Sequence, residues 1–162
     1  MNINDLEKLN TAAEFLVDQK TFSEIIERLS EEISHSHEPF VWSVIDLNSM
    51  DCELPESIKS CWIFVLKKDV PSGCHYHPNS IQHMVMIEGQ GMSKVAGISR
   101  KMVQFGSSND SLADIWCVIG RGVPHEFFPE EKDMIVVSFH TCEANELEEI
   151  ACDTGEKRLY EG

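Results

Sequence analysis

Basic residues are scarce in this chain: 13 Lys and Arg stand against 28 Asp and Glu, a formal net charge of −15 over 162 residues. So few cations leave little to pair with phosphates, which excludes nucleic acid and anionic membrane surfaces as expected partners. Apolar runs are short, and none approaches the ~18 residues of a membrane span. The first residues, Met1-Asn2-Ile3-Asn4-Asp5, lack a basic segment followed by an apolar one, so no secretory signal is expected. The six cysteines, Cys52, Cys61, Cys74, Cys117, Cys142 and Cys152, include no CxxC pair. Without a secretory signal they are expected to be reduced thiols in a cytoplasmic protein, mostly buried as small hydrophobes. Internal repeats and low-complexity linkers are absent too, and the length suits one domain with a core of its own.

What is present divides the chain into three. Residues 1–38 carry nine acids and three bases, residues 39–142 twelve and eight, and residues 143–162 seven and two, so the ends hold most of the negative charge. The first segment reads as helical. Leu6, Leu9, Ala13 and Leu16 recur at helical spacing after a candidate cap at Asn4. A break follows at Asp18-Gln19-Lys20, and then Thr21-Phe22-Ser23-Glu24 has the form of a capping box. Phe22, Ile25, Ile26, Leu29 and Ile33 make an apolar stripe that should pack on its own domain or on a second subunit. From Pro39 the pattern becomes short β-rich runs separated by Gly, Pro, Asn and Asp, the signature of an antiparallel sandwich or barrel. Residues 143–162 read as a short acidic helix (Glu146 to Ala151) and a tail.

The chemistry concentrates in two stretches. In Cys74-His75-Tyr76-His77-Pro78-Asn79-Ser80-Ile81-Gln82-His83-Met84-Val85-Met86-Ile87-Glu88-Gly89, strand alternation sends His75 and His77 to one side, as two imidazoles on one metal ion require. Gln82, Met84 and Met86 share a face of the next strand; His83, Val85 and Ile87 face away. In Ile119-Gly120-Arg121-Gly122-Val123-Pro124-His125, a Gly/Pro turn feeds a strand that opens with His125, and the turn can return that ring toward the first pair.

Together these stretches resemble the two signature motifs of the cupin superfamily. His75-x-His77, four residues, Gln82, six residues, Gly89 matches the first motif's spacing, with Gln82 where Glu is usual and no Gly at the expected distance before His75. Gly120-Arg121-Gly122, two residues, His125 matches the second, with Gly120 for Pro, Pro129 for Asn and Asp114 for the leading Gly. The resemblance spans roughly residues 40–140. It implies an all-β jelly-roll barrel, here with an added N-terminal helical segment, and a divalent metal (Fe, Ni, Zn, Mn, Co or Cu) held by His75, His77, Gln82 and His125. A neutral Gln in place of Glu would leave the site more positive, a stronger Lewis acid that favours an anionic ligand. Cupins similar in carrying His, His, Gln, His rearrange uronate sugars or antibiotic precursors, and the three-histidine thiol dioxygenases also lack the carboxylate. The resemblance also implies a homodimer.

The function implied is that of a metal-dependent enzyme acting on a small anionic or oxygen-rich molecule. The metal would serve as Lewis acid in an isomerase or lyase, or as the oxygen-activating centre of a dioxygenase. The alternative is a non-catalytic cupin that binds or senses a small molecule. Met84, Met86, Trp62, Phe64, Trp116 and Phe127 are candidates for a substrate pocket, or for the core any barrel needs. His140 and Arg121 are candidates at the rim, the latter for a substrate carboxylate. No carboxylate reads as lying inside the barrel, so no catalytic residue is assigned. Cys74 should point away from the metal, and His35-Ser36-His37 is read as a structural helix end.

Overall fold

The computed structural model describes residues 2–107 and 110–160. Two helices, α1 (Ile3–Val17) and α2 (Lys20–His35), precede the strands. The strands are β1 (Phe40–Ile45), β2 (Ser60–Leu66), β3 (His75–Tyr76), β4 (Gln82–Glu88), β5 (Gly91–Val95) and β6 (Ile98–Lys101). After the short helix α3 (Leu112–Ile115) come β7 (Trp116–Ile119), β8 (His125–Pro129), β9 (Met134–His140), β10 (Glu148–Ala151) and β11 (Lys157–Leu159). They form two antiparallel sheets of jelly-roll type, one ordered β1-β2-β9-β4-β7 and the other β11-β10-β3-β8-β5-β6. No helix among the described residues is long and apolar enough to cross a membrane.

The five-stranded sheet is apolar on both faces, and strand alternation sorts its residues between two cores. Trp62, Leu66, Met84, Met86, Met134 and Val136 point inward and join Phe127, Leu147 and Tyr160 between the sheets. Cys61, Ile63, Val65, Val85, Val137 and Phe139 point outward and are covered by Leu6, Leu9, Leu16, Phe22, Leu29 and Ile33 of the helices. The α2 stripe therefore packs on its own domain. A sheet clad on both faces explains the consecutive apolar residues of β2 (61–66) and of the first half of β9 (134–137), which a one-sided sheet would interrupt with polar residues.

Three local expectations are corrected. The α1 cap is Asn2, whose Oδ1 accepts from the Asp5 amide at 2.9 Å, and Asn4 lies inside the helix. The capping box does not form. Only Asp18 and Gln19 connect the two helices, so α2 begins at Lys20 and Thr21 is already within it. The expected helix at 146–151 is the strand β10, preceded by a single 3-10 turn at Ala144–Glu146. Glu, Leu and Ala there favour helix intrinsically, but pairing with β3 and β11 and inward burial of Leu147 and Glu149 prevail. The tail's last two residues, 161 and 162, lie outside the described residues.

Gly89 ends β4 at φ +118°, where a Cβ would stand 2.8 Å from the Asp133 carbonyl oxygen, so the turn requires glycine twice over.

Candidate metal centre

The six-stranded sheet assembles the site. His75 on β3 lies directly opposite His125 on β8 in the strand register, and His77 follows two residues along. The ring centroids of His75 and His125 are 4.3 Å apart, and His77 is 5.3 Å from each. Each ring offers a ligand nitrogen, and the three lie within 4.8 Å of one another.

The rings are held by backbone. His75 Nδ1 donates to the Gly73 carbonyl at 2.9 Å, His77 Nδ1 to the Glu148 carbonyl at 2.7 Å and His125 Nδ1 to the Val123 carbonyl at 2.9 Å. A carbonyl oxygen only accepts, so a proton sits on each Nδ1, and Nε2 is the ring atom left for another partner. Gly122, at φ +72°, donates its amide to the His77 carbonyl at 2.9 Å and so ties the turn before β8 to the end of β3. Burial, reinforced by repulsion from His75, pushes the His77 pKa down to about 4 and that of His125 to about 3. Both are therefore neutral imidazoles near pH 7, the form that ligates a metal.

Gln82 opens β4 facing the same interior and is 6% exposed. Its Nε2 donates to Ser138 Oγ at 3.1 Å, which turns Oε1 the other way. Gln82 Oε1 and His125 Nε2 are the buried side-chain polar atoms without a hydrogen-bond partner among the described residues. Both are acceptors, and buried acceptors without donors are costly. A cation held here would satisfy both, so the donor set fits a divalent ion.

An acidic group does stand inside the barrel. Glu149, from β10, is 8% exposed, and its Oε1 lies 3.4 Å from His75 Nε2. The Tyr160 hydroxyl donates to the same oxygen, and Arg158 Nε lies 3.7 Å from Oε2. Burial and the adjacent carboxylate raise the Tyr160 phenol well above its usual range. Sequence reasoning missed both residues because it read their segment as helix and tail. The usable signal was the alternation of Leu147 and Glu149, inward, with Glu148 and Ile150.

A small cavity of about 30 Å³, open on one side, lies beside the imidazoles. Of the sequence candidates, Phe64, Met84, Phe127 and His140 line it, together with Phe40 and Tyr160. His140 is fully buried with its ring 5.2 Å from His77, and Ser80 Oγ is 2.8 Å from its Nδ1. Trp62 and Met86 belong to the inner core without lining the cavity. Two candidates lie elsewhere. Trp116 pairs with Val85 across β7 and β4, so it shares that residue's outward face, and its Nε1 donates to Asn10 Oδ1 of α1 at 3.0 Å. Arg121 is exposed on the turn before β8, in an open outer depression with Asp5 and His83. His83 faces outward as alternation requires, buried against the sheet with its Nδ1 3.1 Å from the Phe139 carbonyl.

The sequence matches no family model. No curated protein matches it either. Solved structures do. A salicylate 1,2-dioxygenase from Pseudaminobacter salicylatoxidans superimposes at a TM-score of 0.53 and 14% identity, over 73% of this chain and 33% of that one. The coconut allergen cocosin gives 0.53 and 12% over 72% and 29% of the two chains. An oxalate oxidase in complex with the substrate analogue glycolate gives 0.51 and 13% over 78% and 57%. This chain has the cupin fold. The cupin unit here spans about a third of the dioxygenase and just over half of the oxidase. At such identities the likeness is one of architecture, and the chemistry rests on the side chains described above.

Proposed function

We propose that this cupin is a metal-dependent enzyme in which His75, His77, His125 and Gln82 hold one divalent ion and a small anionic or oxygen-rich molecule binds beside them. The observation that carries the reading is the set of Nδ1-to-carbonyl bonds, which leaves Nε2 of three clustered rings for another partner, their ligand nitrogens within 4.8 Å of one another. When bound, the ion would supply Lewis acidity toward a substrate oxygen, or oxygen activation if it is redox-active. The chain's own groups do the rest. Phe40, Phe64 and Phe127 give the cavity an apolar wall for the rest of the molecule. Glu149 holds or hands on the proton that an isomerase or lyase step moves, and the Tyr160 hydroxyl orients it. This buried carboxylate–phenol pair favours an enzyme over a module that only binds. We also propose that the protein works as a homodimer, which light scattering on the 18.4 kDa chain reads directly.

Metal analysis and cobalt(II) titration of protein purified without added metal test the assignment. Wild type should take up one ion per chain. His75→Ala and His125→Ala should each bind cobalt on the order of 100-fold more weakly or worse, since outer partners of ligands alone are worth 10–100-fold. A wild type that binds no ion, or a His125→Ala variant that binds as tightly as wild type, would overturn the proposal.

A further inference from the structure

The register that pairs Ala151 with His75 places Cys152 opposite Cys74 one step further along β10 and β3. The Cys152 amide donates to the Cys74 carbonyl at 3.0 Å, and the two Sγ atoms lie 2.6 Å apart. Both thiols are exposed, whereas Cys61 and Cys142 are buried. Two facing, accessible sulfurs on hydrogen-bonded segments have the geometry and the access that a disulfide needs.

We infer that Cys74 and Cys152 form a reversible disulfide that clamps the C-terminal hairpin over the metal centre. The oxidant is a low-molecular-weight disulfide. One cysteine thiolate attacks it, its S–S bond breaks, and one small thiol leaves. The second cysteine then attacks the mixed disulfide and releases the second small thiol, which together with the first carries off two electrons and two protons. The new bond closes a loop from residue 74 to residue 152, and that loop contains His75, His77, Gln82, His125 and Glu149. Cys74 adjoins His75, and Cys152 directly follows the strand that carries Glu149 and the Glu148 carbonyl holding His77. The clamp therefore joins the two halves of the site outside it. It stands apart from metal binding, because its test uses chelator-treated protein.

Incubation with glutathione disulfide should cost wild type two hydrogen atoms in mass, and a non-reducing digest should yield a peptide pair joining residues 74 and 152. The melting temperature should rise by roughly 5–10 °C, in line with the effect of closing a long loop in a chain of this size, and dithiothreitol should reverse the rise. Cys74→Ser and Cys152→Ser should each gain at most a glutathione adduct on the remaining thiol, with no rise. Recovery of residues 74 and 152 as free thiols, or as two separate adducts, would overturn the inference. A linked wild type whose melting temperature does not move would overturn the clamp.

Discussion

Ser138 is buried with 0% exposure on β9, and its hydroxyl touches no proposed ligand nitrogen; it acts by turning the Gln82 amide. Ser138→Ala removes that anchor, leaving Oε1 and Nε2 free to exchange places. Cobalt affinity should fall roughly 10–100-fold, the usual effect of losing an outer partner, with only a small change in the urea midpoint. Unchanged affinity in a folded variant would mean that Gln82 is not oriented for metal. At this scale period-2 alternation was informative wherever a strand was recognisable: it placed His75 and His77 together, Gln82 inward and His83 outward. It failed at Trp116, where an aromatic residue was weighed by its chemistry, although its pairing with Val85 assigns it to the outer face. Glu149 was invisible because its inward direction exists only once β10 is a strand.

Among the elements, α1 and α2 form an outer layer on the five-stranded sheet, on the far side from His75, His77 and His125, which belong to the other sheet. Leu29→Ala, at a fully buried α2 position, should cost about 2–5 kcal/mol of stability through lost contacts and a residual cavity. One cobalt ion per chain should still bind at temperatures where the variant is folded. Loss of binding in folded Leu29→Ala would show that the layer shapes the centre as well as supporting the barrel. The helices were legible from their apolar spacing. Their docking face was not, because a stripe such as Phe22-Leu29-Ile33 describes what must be buried and not what buries it. The consecutive apolar residues of β2 and of the first half of β9 were the other half of that answer, since a sheet needing both faces covered is where the stripe belongs.

For the molecule as a whole, four buried imidazoles set the response to acid. Burial lowers the pKa of His77 to about 4 and of His125 to about 3, and pushes His83 and His140 below their usual value as well. In the unfolded chain all four bind protons as pH falls through about 6.5. In the folded chain His77 and His125 resist until about 4 and 3. The unfolded state thus binds more protons in that window, so stability is full above about pH 6.5 and is lost progressively below it. Urea midpoints of chelator-treated protein should fall steadily from about pH 7 to about pH 5, and a flat profile would contradict neutral burial. The global architecture was readable because two motifs some fifty residues apart demand one barrel to bring His77 and His125 together. The contribution of the last strands was not, since nothing local in Glu146–Ala151 reports a partner as distant in sequence as Tyr76.

The bond from His77 Nδ1 to the Glu148 carbonyl also carries a consequence for timing. Ribosomes deliver residue 77 well before residue 148, so the nascent chain exposes its imidazoles while the group that orients one of them is still untranslated. Loading of the proposed centre would then be a late event in biogenesis, and an ion captured earlier would meet a looser and less selective set of ligands.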